Sequence, residues 1–538
     1  MKMSDRISSI YESAAETIKR DRALLLRVVI TALITGGLSF YVLAQMGYAE
    51  PDCLCEGMLY HRAKDFATSN GRWALRILLL LTRYLCAPSM IIFLHCICIA
   101  LTSYLLIRFW KTDNPFFQII LTAALTAAPG AVNQLAYFYM SLVYCFAGLF
   151  SMLFIQTAHK KKLPNIIAGA VFMDIALGLY QPYVGYAAAG GLLTLILMLA
   201  GGKKLKEVFS ALFSYAISGG AGCILYILHV KIDLALRHME GSERVQAVGV
   251  KETINNLPSM LKAVYARAFD FYFSKIAERW IFFAVFFILL ALLLLKLAMK
   301  AVKGKKSAEM ILAAVLLMLF PLAANLCIFI TPFREIDYLM DYQLVLIIPF
   351  FFAMVQNVYA GKKPADIFSG RSLVVLCGTA VCFVIAWTYV ISANATYMCY
   401  RFSYDTAKEE TRLILNRLYD DESFEKKLAK DEALKLMIVG FPEDKTEELQ
   451  HNVYKLSYRF NGRPNGAFYE DMNGIHNVWH YFLLEFFGMD TASFSDGEYT
   501  DIVTSDEFKA MPVWPAAGSD AVIDGFHVVK LTDEPPLP

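Results

Sequence analysis

Charge is scarce in this chain. Asp, Glu, Lys and Arg make up 18% of its 538 residues, against about 25% in soluble proteins. The net charge is only +2, so no polyanion-attracting field exists and no nucleic-acid partner is expected. The 11 cysteines lack the paired spacing of a zinc site, and most lie in apolar runs, where a thiol behaves as a small hydrophobe. Cys53, Cys55 and Cys399 lie outside or at the edge of those runs, and no disulfide is derivable from their spacing. The sequence has no nucleotide-binding loop and no internal repeat. A cleaved signal peptide is not the reading of the first apolar run, whose polar lead-in is too long and whose core exceeds the signal range.

What remains is apolar. Hydrophobic residues reach 57% and the mean hydropathy is +0.47. Runs near the length a bilayer demands, about 20 residues, recur along the first 391 positions. They cover Leu24–Ala44, Pro88–Trp110, Phe116–Gly130, Tyr137–Gln156, Pro164–Tyr180, Tyr183–Ala200, Val208–Val230, Trp280–Met299, Met310–Ile330, Tyr342–Tyr359 and Leu373–Ile391. The expected fold is therefore an α-helical polytopic membrane protein with about eleven transmembrane helices. Residues 1–391 form the membrane domain, and residues 392–538 form a small C-terminal extracytoplasmic α/β domain.

Lysine and arginine orient the chain. Short basic connections stay cytoplasmic. Lys19, Arg20 and Arg22 precede the first run; Arg108 and Lys111 close the second; Lys160–Lys162, Lys203–Lys206, Lys300–Lys306 and Lys362–Lys363 follow the fourth, sixth, eighth and tenth. The intervening short connections at Pro129–Gln134 and Gln181–Pro182 carry no basic residue. A cytoplasmic N-terminus and an extracytoplasmic C-terminus follow. The polar mass then falls outside, in Gln45–Ala87, Lys231–Arg279, Thr331–Asp341 and the tail. In the tail, Ala407–Tyr419 reads as an amphipathic helix, Leu434–Val439 and Ala521–Leu531 as strands, and Asn477–Phe487 as an aromatic-rich helix. His476 and His480 share i,i+4 spacing, but no glutamate follows the first, so an ordinary helix face is expected and no metal site.

The first outer loop holds the candidate chemistry. Asp52 and Glu56 lie just beyond the first helix, where a carboxylate can serve as a general base; each alone reads equally well as a solvated loop acid. Arg72, Arg76 and Arg83 fall within about 40° on a helix, and the rest of Arg72–Leu85 is mostly leucine and isoleucine. That pattern describes an interfacial helix with a basic stripe, for one lipid phosphate or for headgroups in general. Asp174 lies within the fifth run and shares a face with Gly178 and Gln181. It either faces a substrate cleft or is hydrogen-bonded across a close helix contact. Arg334, at the outer end of the ninth run, is a phosphate ligand or a snorkelling anchor. Arg237 and Arg244 are weaker candidates of the same type.

Three pieces of sequence in this order resemble the bacterial O-antigen-type glucosyltransferases, within the C-type (GT-C) superfamily of membrane glycosyltransferases. They are Tyr48–Asp52 after the first helix, Asn70-Gly71-Arg72-Trp73 before the second, and Leu179-Tyr180-Gln181-Pro182-Tyr183 between the fifth and sixth. The tail carries no matching motif. The family often shows paired acids in the first loop; here Cys53 follows Asp52 and the next acid is Glu56, so the base stays open between them. The resemblance implies transfer of a hexose, glucose in that family, from a polyprenyl-phosphate donor to a cell-surface polysaccharide at the outer face of the cytoplasmic membrane. It implies substrate-binding roles for Arg72, Trp73, Tyr180 and Gln181 in its motifs, and Arg76, Arg237 and Arg334 join them as candidates by their place at the outer boundary. No cofactor is expected, with a divalent metal left open. The rival readings are a lipid-linked sugar flippase or other transporter and a polysaccharide polymerase.

Overall fold

The computed structural model describes residues 3–46, 68–242, 250–303, 307–329, 338–359, 373–420, 434–441, 446–458 and 475–535. Asp52, Glu56, Arg334, Cys53 and Cys55 lie outside the described residues, as does the Tyr48–Asp52 segment.

The membrane part begins with α1 (Met3–Met46) and the short α2 (Leu75–Leu79), followed by α3 (Pro88–Trp110), α4 (Pro115–Ala127), α5 (Pro129–Ala136) and α6 (Ser141–His159). Next come α7 (Leu163–Leu179), α8 (Tyr183–Ala200), α9 (Leu205–Arg237), α10 (Val250–Phe273) and α11 (Arg279–Lys303). The series closes with α12 (Ser307–Met318), α13 (Phe320–Ala324), α14 (Ile347–Val358) and α15 (Leu373–Tyr419). Among the described residues, eight helices are long and apolar enough to cross a membrane, and three shorter apolar helices accompany them. Each expected apolar run falls on one of these.

Proline sets several boundaries. It opens α3, α4 and α5, and lies in the first turn of α7, where its missing N–H costs nothing. Asn114 caps α4 by accepting from the Phe116 N–H at 2.9 Å. The expected run Phe116–Gly130 is divided, because Ala128 before Pro129 is forced into an extended conformation (ψ 148°). The run Met310–Ile330 is likewise broken at Leu319, with Pro321 in the first turn of α13. The last run does not stop at Ile391: α15 continues for 47 residues, across position 392, and absorbs the amphipathic segment Ala407–Tyr419.

Helix α1 packs on α3, α4 and α15; α7 lies between α6 and α9; α8 meets α6, α12 and α13; α11 joins α10 and α15. Large apolar side chains stay exposed along α1 (Leu26, Ile30, Ile34, Leu38) and α9 (Phe213, Ile217, Ile224). An apolar exterior of this extent fits a lipid-facing surface.

The tail contains β1 (Leu436–Val439), β2 (Asp520–Ile523) and β3 (Phe526–Lys530) in the order β1-β3-β2. β1 is parallel to β3, with Leu436 opposite His527. β2 and β3 form an antiparallel hairpin, turned at Asp524 and Gly525, both with positive φ, which suits the strand twist. The single expected strand Ala521–Leu531 is thus two strands. Helix α16 (Ile475–Phe487) packs on β1, and α17 (Asp496–Thr504) follows it. Phe482 of α16 stacks on Tyr404 of α15, centroids 6.5 Å apart. Arg417 of α15 lies over Trp514 and donates to the Pro515 carbonyl at 2.8 Å. One helix therefore carries the tail on the membrane part.

Candidate functional site

The Asn70–Trp73 segment is a tight turn docked on the end of α7. Gly71 takes φ 67°, a conformation open to glycine at little cost. Its N–H donates to the Thr68 carbonyl at 3.0 Å, and the Ala74 N–H donates to the Gly178 carbonyl at 3.0 Å. Gly178 has no room for a side chain: a Cβ there would overlap the Trp73 indole. The Trp73 ring also meets His229 of α9, centroids 4.8 Å apart.

Arg72 is 7% exposed. Its guanidinium carbon lies 5.4 Å from the centre of the Tyr180 ring, and Tyr180 meets Tyr144 edge-on at 4.6 Å. From there an aromatic stack runs inward through Tyr183, Tyr186 and Tyr342. The Tyr183 hydroxyl accepts from Gln134 at 2.9 Å.

Gln181 ties three segments together. Its side-chain amide donates to the Asn70 carbonyl at 2.6 Å and to the Tyr226 hydroxyl of α9 at 2.9 Å. Asn70 in turn accepts from Ser242 at 3.0 Å. The two described motif pieces, about a hundred residues apart in sequence, thus form one cluster with the end of α9.

The other expected residues are placed as follows. Arg76 lies on α2 and hydrogen-bonds the Thr68 hydroxyl. The expected continuous helix Arg72–Leu85 is not formed: α2 spans five residues, a 3₁₀ turn follows, and Arg83 and Tyr84 take left-handed φ of 51° and 65°. The single basic stripe is lost with it. Asp174 lies at a helix contact. Its carboxylate accepts from His229 Nδ1 at 2.8 Å, across the α7–α9 contact. That contact is close because Gly169 meets Ser218 and Gly222 meets Met173. Arg237 pairs with Asp233 on its own helix at 2.7 Å. His480 pairs with Thr491 at 2.9 Å, and Cys399 is buried within α15.

An open cavity of about 400 Å³ lies between α8 and α9 and is bordered by α12 and α13. Its walls are apolar and small: Val184, Ala187, Gly191 and Leu195 on α8, Gly219 and Cys223 on α9. Two of its lining residues, Val184 and Cys223, lie three positions along the chain from Gln181 and Tyr226. Tyr226 and His229 were missed in the sequence. Their one signal was a polar group inside an apolar run.

These features define a helical membrane protein of many spans, in which a buried arginine lies on a polar loop tied to a helix that walls an apolar groove. Residues 56–348 match the family described as Glucosyl transferase GtrII, and the chain belongs to that family. It is thereby a membrane glycosyltransferase. The match takes in Asn70–Trp73 and Leu179–Tyr183; Asp52 and the tail lie outside it. No curated protein and no solved structure matches the chain.

Proposed function

We propose that the protein transfers glucose from a polyprenyl-phosphate donor to a cell-surface polysaccharide, at the outer face of the cytoplasmic membrane. One observation supports this most: the loop carrying buried Arg72 is tied by Gln181 to Tyr226 of α9, a helix that walls an apolar groove. An isoprenoid chain fills such a groove, and its phosphate then lies beside the arginine. The acceptor hydroxyl attacks the sugar carbon and gives its proton to a carboxylate, Asp52 or in its place Glu56. The carbon–oxygen bond to the phosphate breaks, and the electron pair leaves with the phosphate. Arg72, with Arg334, stabilises the charge that develops there. Trp73, Tyr180 and Gln181 hold Arg72 in position. The transfer needs no cofactor, and residues 392–538 act as a unit on the acceptor side.

The test is purified full-length protein supplied with polyprenyl-phosphate glucose and surface polysaccharide. Glucose should appear on the polysaccharide, and Asp52→Asn or Glu56→Gln should abolish it. Passage of the lipid-linked sugar across vesicles without transfer would make the protein a flippase instead.

A further inference from the structure

The tail holds a pocket between its sheet and α16. Successive side chains of a strand face opposite ways, and β1 uses both faces. Met437 and Val439 enter the tail's own core, with Tyr499 and Ile502 of α17. Leu436 and Ile438 belong to the other face, in the cluster that holds Trp479 and Leu483 of α16. The segment after α16 is drawn onto the edge of the same strand. The Ala492 N–H donates to the Leu434 carbonyl at 2.9 Å, and Leu434 pairs with Thr491 as an isolated parallel bridge. The chain then enters the capped start of α17.

Between β1, α16 and this segment lies a pocket of about 140 Å³. That is roughly ten times what a single water needs, and well below the cavity between α8 and α9. Leu436 and Ile438 give it an apolar floor, and His480, Tyr481, Thr491 and Ser493 line it with polar groups. No lining residue is Asp, Glu, Lys or Arg. His480 Nδ1 is bonded to the Thr491 hydroxyl at 2.9 Å, which holds the ring and leaves Nε2 for a ligand. Tyr481 is half-buried and Ser493 exposed, and among the described residues neither hydroxyl has a hydrogen-bond partner. The rings are held in place. The Trp479 indole donates to the Gly440 carbonyl at 3.0 Å, and Tyr481 meets His480 edge-on at 5.0 Å. Because Phe482 of the same helix stacks on Tyr404 of α15, the wall of the pocket is anchored on the membrane part.

Such a lining selects against most ligand classes. A phosphate, carboxylate or ammonium group would lose hydration here without meeting an opposite charge. A purely apolar group would cover the hydroxyls and Nε2 and leave them unsatisfied. A sugar ring suits both halves. Its C–H face lies against the apolar floor and the aromatic rings, and its hydroxyls donate to and accept from the polar groups.

We propose that this pocket binds one uncharged sugar unit of the polysaccharide acceptor. The inference rests on the acceptor reading above and gives the tail its part in it. A pocket for one ring holds that ring weakly. It acts by tethering a long chain, whose other units then reach the membrane domain at a raised effective concentration.

The full-length protein in detergent is passed over immobilised surface polysaccharide, and transfer from polyprenyl-phosphate glucose is assayed in parallel. Tyr481→Phe keeps the ring and removes one hydroxyl. Ser493→Leu adds bulk to the pocket wall from an exposed position, so it tests the site without disturbing the core. Tyr481→Phe should weaken polysaccharide binding roughly two- to tenfold, the net worth of one hydrogen bond, and Ser493→Leu at least as much. The acceptor KM should rise in step, with the donor KM and kcat unchanged. Because no charge is involved, the loss should be the same at about 0.1 M and about 1 M salt. Binding and acceptor KM that match the wild type in both variants overturn the inference and leave the acceptor reading intact. A loss that vanishes at high salt marks a charged ligand and also overturns it. So does an equal rise in the donor KM, which marks a general defect of the fold. A wild type that moves no glucose onto the polysaccharide overturns the acceptor reading itself.

Discussion

At the residue scale, Gly178 and Arg72 carry the sharpest consequences. A methyl group on Gly178 would occupy the Trp73 indole position, so Gly178→Ala must displace the loop or separate the helices. Overpacking of this kind costs about 1–3 kcal/mol. A displacement of the loop by about an ångström costs transfer about a hundredfold. Turnover should therefore fall well before the fold is lost, which parallel activity and thermal-unfolding measurements on Gly178→Ala would check. Arg72→Lys keeps the charge and loses the planar fork. Transfer in this variant should drop roughly ten- to a hundredfold, nearly as far as in Arg72→Ala. Wild-type turnover in Arg72→Lys would reduce the residue to a packing cation over Tyr180. Asp174→Asn should be milder than either, because its carboxylate bonds His229 within a helix contact and an amide oxygen can accept the same bond. Turnover within about threefold of wild type is expected, given the modest worth of such bonds between membrane helices.

At the element scale, termini and breaks follow local chemistry. Pro129 and Pro321 divide runs that hydropathy alone leaves whole. In the tail, Ser495 opens α17 with a capping box: its hydroxyl accepts from the Glu498 N–H at 3.2 Å, and the Glu498 carboxylate accepts from the Ser495 N–H at 2.7 Å. These bonds hold the Glu498 carboxyl below its ordinary range. Glu498 is solvated, so its effect is local. Because its folded pKa is depressed, its contribution is fully present above the unfolded value, about 4.3, and is lost as pH falls through the folded value. Hydrogen exchange of the first α17 amides should accelerate, relative to the intrinsic rate, as pH falls below that value. Glu498→Gln should flatten this dependence, and an unchanged profile in that variant would assign the acid sensitivity elsewhere. Ser495→Ala should loosen the same turn at every pH, by about 1 kcal/mol.

At the scale of the whole molecule, α15 links the two parts. It extends for roughly 70 Å at 1.5 Å per residue, from the helices beside α1 and α11 to the sheet of the tail. The tail's side of the membrane therefore follows from the direction of one helix. The alternating basic connections predict that this side is outside. A reporter active only in the cytoplasm, fused after Leu531, should be silent; strong activity there would invert the whole topology and move the proposed reaction to the inner face. Surface polysaccharide from a strain lacking the protein should lose hexose by mass analysis.

Hydropathy and lysine placement determine class and approximate helix positions by themselves, because a bilayer imposes length and composition on each segment separately. Local rules of the same kind gave β1, α16 and the end of α7 to within a few residues. The motif order Asn70–Trp73 then Leu179–Tyr183 marked the family before any contact between them was known. Partners were a different matter. That Asp174 meets His229 depends on where α9 lies against α7. That His480 meets Thr491 depends on where α16 lies on the sheet. No local pattern encodes such meetings, since they arise from long-range packing of elements whose own sequences are satisfied in many arrangements. The single stripe expected for Arg72, Arg76 and Arg83 failed for the same reason: the chain leaves the helix at Arg83, and helical periodicity no longer governs where that side chain lies.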